Sequence, residues 1–280
     1  MLKKLFCSFI LIIQPALMFA QLPLQQEAFT SCHCPGMAKI GRGTIYFSFG
    51  YNLDWFTRSD IHFKDFKTDN YNFTLYDVKG VDRPALKYIF QQDITLPQYS
   101  YRIGYFFNDK RDMGIEINYD HVKYVMLNDQ RVHIKGQIHE VYFDTDTVLD
   151  DSFIRYEHTN GANYFMINGV KRLNLLHSRG ELHWLSTVLR TGAGLVVPRS
   201  DTYLWGNHRN DTYHVAGYVI GVDVGLRYDF LKNFYFETSG KGAYANYTHV
   251  YLFKEGRARQ HWFSFEYIFT LGFQFGAKLF

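Results

Sequence analysis

Beyond its first twenty residues the chain has no apolar run near the roughly 20 residues that a membrane-spanning helix requires, so a helical membrane protein is excluded. Cysteine is scarce: Cys7 lies in the leader, and only Cys32 and Cys34 follow, in Ser31-Cys32-His33-Cys34-Pro35. That group offers at most three metal ligands and nothing completes a zinc set, so no metal site is assigned. An oxidised local pair and two free thiols both fit an oxidising compartment. Charge of one sign is also lacking. Thirty Lys and Arg against 27 Asp and Glu give a net +3, which becomes +1 without Lys3 and Lys4, and this argues against nucleic acid as a partner. No Gly-x-Ser-x-Gly, His-Glu-x-x-His or dinucleotide fingerprint occurs, and no cofactor is indicated.

What the chain does have is a leader and a rhythm. Lys3 and Lys4 precede an apolar stretch from Leu5 to Ile13 and then Ala16-Leu17-Met18-Phe19-Ala20, which reads as a secretory signal over residues 1–20. Residues 21–43 follow as a periplasmic segment, and residues 44–280 form the main domain. Aromatics make up 19% of the chain, and they alternate with polar and small residues instead of gathering in blocks. From Thr44 to Phe56 one face carries Ile45, Phe47, Phe49, Tyr51, Leu53 and Trp55, while the other carries Thr44, Tyr46, Ser48, Gly50, Asn52 and Asp54. A strand separates two such sets and a helix would mix them.

Applied throughout, this test predicts an all-β fold, a transmembrane antiparallel up-and-down barrel of eight strands. The expected strands are Thr44–Phe56, Leu96–Phe107, Met113–Met126, Phe153–Leu173, Glu181–Val197, His214–Phe230, Phe234–Tyr247 and His261–Phe280. The count becomes ten if Tyr71–Val78 adds to the wall. Short and long connections alternate, as they do between the periplasmic and outer sides of such barrels. The predicted location is the bacterial outer membrane, as a monomer among outer-membrane lipids and lipopolysaccharide, inserted by the barrel-assembly machinery.

The interior of an eight-stranded barrel is filled by side chains. On the inferred lumen parity lie Glu116, Asp120, Glu157, Asp223, Asp229, Glu237 and Glu266, with Arg155, Arg190, Arg227 and Lys241 placed to pair with them as a buried network. Toward the outer rim the strand directions gather His121, Lys123, Glu157, His158, Asn160, Asn163 and Arg199. There His121, Glu157 and His158 are the candidate acid/base groups, and Lys123, Asn160, Asn163 and Arg199 are candidate ligand-binding groups for phosphates and sugars. Asn160-Gly161 inside the fourth strand reads as a β-bulge.

Several of these stretches resemble a family of small outer-membrane barrels that includes lipid A oxidase-like proteins. They are Gly114 to Lys123, Tyr156 to Asn163, Gly192 to Pro198, and the ending from Val215 to Phe275. The resemblance implies an outer-membrane protein that binds or modifies lipid A at its outer rim, with His121, Lys123, Glu157 and Asn163 on matching positions. His158-Thr159-Asn160 is similar to the His-x-Ser of lipid A deacylase barrels, with Asn160 in place of the nucleophile. The alternatives are a non-catalytic barrel serving as anchor, adhesin or partner-binding scaffold and, third, a narrow small-solute channel.

Overall fold

The computed structural model describes residues 43–83, 98–107, 111–177, 183–210, 212–231 and 233–276. The predicted signal, nearly all of the segment to residue 43, Cys32, Cys34 and the terminal Phe280 lie outside the described residues.

In chain order the first strands are β1 (Thr44–Phe56), β2 (Ser59–Asp65), β3 (Tyr71–Val78), β4 (Gly80–Val81), β5 (Tyr99–Phe106) and β6 (Met113–Asp120). Next come β7 (Tyr124–Met126), β8 (Arg131–Ile138), β9 (Val141–Val148), β10 (Ile154–His158), β11 (Tyr164–His177) and β12 (His183–Val196). The last are β13 (Asp201–Leu204), β14 (Asn207–Asn210), β15 (Gly217–Phe230), β16 (Phe234–Tyr251) and β17 (Arg257–Gly276).

Among the described residues, β1, β5, β6, β11, β12, β15, β16 and β17 pair antiparallel in that order, and β17 pairs back onto β1 from Thr44↔Gly276 to Phe56↔Ser264. The ring has no free edge. Its period-two pattern turns Phe47, Ile103, Ile115, Ile117, Ile167, Val222, Val224, Phe269 and Leu271 outward and exposed, while Ser48, Arg102, Glu116, Asn168, Arg190 and Glu237 face in and are buried. A closed barrel with an apolar outer band and a polar interior is a membrane-spanning barrel. Aromatic residues border the band. Tyr101 and Tyr119 are opposed near one end, and Phe230, Phe234 and Phe273 meet near the short turns at the other.

On the side away from those turns the wall continues upward. The β1 direction resumes in β2 after Thr57, whose amide donates to the Phe263 carbonyl at 2.9 Å, and β2 then pairs with the outer end of β17. From there β3, β8 and β9 extend the sheet. A second sheet, ordered β14-β13-β10-β7-β4, faces it. Buried apolar side chains of both sheets form one cluster. Phe63 meets Tyr156 edge-on at 5.6 Å, Tyr71 and Phe73 pack on Trp205, and Tyr124 stacks on Trp262 at 4.6 Å. The result is a small β-sandwich head over the barrel mouth.

The head revises four expectations. Tyr71–Val78 is a strand, but of the head and not of the wall. The third expected strand ends at Asp120, because Tyr124–Met126 joins the second sheet. Phe153–Leu173 is not continuous: β10 belongs to the head and β11 to the barrel. Asn160-Gly161, expected as a bulge, is the turn between them. Gly161 has φ +119°, its amide donates to the His158 carbonyl at 3.1 Å, and a Cβ there would meet the Asn163 side chain at 2.2 Å.

Candidate functional site: lumen, rim and head

The lumen is a connected ion-pair network in layers. In the middle, Arg190 reaches Glu116 at 2.9 Å, Asp223 at 3.0 Å and Glu237 at 2.7 Å. Arg102 reaches Asp223 and Glu237, each at 2.9 Å. Tyr46 donates to Glu116 at 2.8 Å and Ser239 to Asp223 at 2.9 Å. Outward of this layer Lys241 joins Asp120 and stands 3.3 Å from Glu266, and Ser100 donates to Asp120 at 2.6 Å. Inward, Arg227 pairs with Asp229 at 2.8 Å, donates to Gln274 at 2.6 Å and covers the Tyr235 ring at 3.4 Å. The free space bounded by Arg102, Glu116, Asn168, Arg190 and Asp223 is about 10 Å³. That is at most about one water. A solute has no room at this layer.

Two expected members of this network lie elsewhere. Arg155 and Glu157 sit on β10 in the head, because the chain leaves the wall before residue 164. There Glu157 stands 3.6 Å from both Arg83 and Arg155, and Arg155 is 3.8 Å from Asp201 and lies over the Tyr203 ring. Burial pushes the Glu157 carboxyl up, against the pull of Arg83 and Arg155. Arg102, not singled out from the sequence, takes a central place in the lumen. Its signal was there, since Ser100, Arg102 and Gly104 share the polar parity of their strand.

At the rim, His121 stacks on Tyr99 at 4.7 Å, and its Nδ1 lies 2.8 Å from Asn163 Oδ1. Asn163 also donates to the Val197 carbonyl at 2.9 Å, so this pair ties the ends of three wall strands. Burial lowers the His121 pKa to about 4. Lys123 is nearly buried; desolvation lowers its pKa while Asp82 pulls the other way. Arg199 donates to Asn210 at 3.2 Å, and the Asn160 carbonyl accepts from the Tyr213 hydroxyl at 3.1 Å.

His158 lies deeper. It is fully buried among Tyr124, Tyr156, Tyr247 and Trp262, with Nδ1 2.7 Å from Ser200 Oγ, and burial lowers its pKa to about 3. As consecutive residues of β10, Glu157 and His158 turn to opposite faces. The three candidate acid/base groups therefore have separate partners: Asn163 for His121, arginines for Glu157, Ser200 for His158. Among the described residues no group of three or more His, Cys, Asp or Glu side chains is placed to hold a metal.

A closed ring, an apolar outer band, aromatic borders and long connections on one side only are together the architecture of an outer-membrane β-barrel. No family profile and no curated relative matches the chain. Among solved structures it is similar to Ail, the attachment invasion locus protein of Yersinia pestis, at 11% identity and TM-score 0.32, over 84% of this chain and 99% of that one. Ail in complex with the heparin analogue sucrose octasulfate matches at 12% and 0.32, over the same shares. The outer membrane protein OprG from Pseudomonas aeruginosa matches at 9% and 0.37, over 84% of this chain and 97% of that one. At these values the likeness carries no argument about activity. Nothing in these findings supports a lipid A oxidase-like family.

Proposed function

We propose that the chain is a bacterial outer-membrane protein whose closed barrel anchors a β-sandwich head on the cell surface, and that it acts there by binding and not by catalysis or transport. One observation carries this reading. A single apolar cluster runs from the barrel mouth, at Tyr164, Met166 and Val219, into the head, at Phe63, Phe73 and Ile134, so the head seals the lumen it stands on. A channel needs an open path. An enzyme acting on lipid A needs an acid and a base aimed at one point, and His121, Glu157 and His158 have no shared partner. The head lies outside because long connections of such barrels are extracellular. Closure of the ring within one chain fits a monomer in contact with outer-membrane lipids and lipopolysaccharide, inserted by the assembly machinery.

The test compares a deletion strain with its complemented parent. The expected result is an unchanged lipid A mass spectrum, no conductance of the purified barrel in planar bilayers, and cleavage of the head by protease added to intact cells. Exchanging residues 131–148 for a short turn should then abolish surface binding while the barrel still folds. A lipid A species that appears only with the intact gene would overturn the reading and return attention to His121 and Glu157.

A further inference from the structure

The outward face of β17 runs past the apolar band. Going outward, Phe265 and Phe263 give way to His261, Arg259 and Arg257 at alternate positions. Beside them β2 sets Lys64 directly opposite Arg257 and His62 directly opposite Arg259. The Lys64–Arg257 pair thus sets like charges opposite each other, which destabilises an antiparallel pairing. The nearby carboxylates offset little of this. Asp65 is buried on the other face of β2 and accepts the Lys67 and Thr68 amides, and Asp60 accepts the Asp77 amide at 2.9 Å. Glu255 stands 3.9 Å from Lys67 and 4.0 Å from Arg257, the outer limit of an ion pair. Among the described residues Arg259 makes no ion pair.

Two surface depressions share this cationic seam. One of about 360 Å³ lies along Lys64 and Arg257, with Asp65 and Glu255 also on its lining, and one of about 480 Å³ lies along Asp60 and His261; His62 and Arg259 border both. Immediately inward is an apolar trough of about 410 Å³ between Ile220, Val222, Tyr244 and Phe263. Tyr244 and Phe263 are opposed on β16 and β17, as are Asn246 and His261 one step farther out. Two residues of strand span about 7 Å, so cationic depression and apolar trough adjoin on one face of the wall.

An anion on the seam would relieve the opposed cations, and the trough selects which anion. Free phosphate or a soluble polyanion would gain nothing from it, whereas a lipid fills both. We infer that this face seats one outer-leaflet lipid, its phosphate held by Arg257, Arg259 and Lys64 and an acyl chain lying in the trough. The inference rests on the proposed membrane anchorage with the head outward.

The full chain, purified in a neutral detergent, would be titrated with bisphosphorylated lipid A, with the same lipid after phosphatase treatment, and with inorganic phosphate, and bound lipid read by native mass spectrometry. The phosphorylated lipid should be retained, the dephosphorylated one at least tenfold more weakly, and millimolar inorganic phosphate should displace neither. Arg257→Gln with Arg259→Gln should weaken retention at least tenfold. Arg259→Gln alone breaks no ion pair, so it should weaken retention in a normally folded barrel. Arg131→Gln, across the sheet on β8, should change nothing. Equal retention of the two lipids, unchanged retention by the double variant, or displacement by phosphate at the lipid's own concentration would each overturn the assignment. A chain that fails to insert into vesicles refutes the anchorage reading, whereas an inserted chain that retains no phosphorylated lipid refutes this site alone.

Discussion

Replacing Arg190 with Met tests whether the lumen network holds the barrel together. In its layer two guanidiniums face three carboxylates, and Arg190 touches all three at 2.7–3.0 Å with only a few per cent of its side chain exposed. Summing bonds would overstate the loss, because Glu237 and Asp223 keep Arg102 and Glu116 keeps Tyr46 and Asn168. The larger cost is the uncompensated buried charge, and removing one partner of such a group costs about 3–5 kcal/mol. Arg190→Met should therefore lose that much in urea unfolding of the barrel in detergent, followed by tryptophan fluorescence and by the gel shift between folded and unfolded forms. Adding Glu116→Gln removes one of the stranded charges and should recover at least about 1 kcal/mol of it. The exposed pair of Arg131 and Asp146, 3.4 Å apart, sets the scale: Arg131→Met should cost less than about 1 kcal/mol. A cost for Arg190→Met as small as that, or no recovery in the double variant, would refute the reasoning.

Two further outcomes concern the head. His158 and His121 have folded pKa values of about 3 and about 4, below the 6.5 of a free histidine, so the unfolded chain binds protons first and stability falls as pH drops below 6.5. Each contributes up to about 1.4 kcal/mol per pH unit. Asp82, pushed up to about 6 by burial, and Glu157, also raised, oppose this in the carboxylate range. Resistance of the head to protease should drop between pH 7.5 and 4.5, and His158→Phe should flatten that dependence; an unchanged profile in the variant would count against the buried ring as its source. Gly136 has φ +133°, and a Cβ there would meet Asn72 O at 2.3 Å and Phe73 Cα at 2.6 Å. Gly136→Ala should loosen the β3–β8 pairing by more than about 1 kcal/mol, seen as faster amide exchange in the head with the barrel strands unchanged.

The wall was legible in the sequence because every barrel strand meets hydrocarbon on one side and a packed interior on the other, which stamps a period of two on its residues. Thr44–Phe56 was read to its final bounds for that reason. The head was not legible, because its strands alternate too. Nothing local in residues 153–173 says that Ile154–His158 faces an apolar sandwich core and Tyr164 onward the membrane, and the turn residues Asn160-Gly161 fit a bulge equally well. Which strands pair is also non-local: β3 meets β8 some sixty residues later, and β2 meets β17 nearly two hundred later. The spread of the rim candidates was partly legible: neighbouring residues of one strand turn to opposite faces, so Glu157 next to His158 already pointed to separate surroundings.

The twenty-residue β17 pairs with β1 along the barrel and with β2 in the head. One unbroken strand thus belongs to both parts: thirteen residue pairs join it to β1 in the wall and four join it to β2 in the head, with no linker between them. A displacement of the head on this side would have to bend β17 itself.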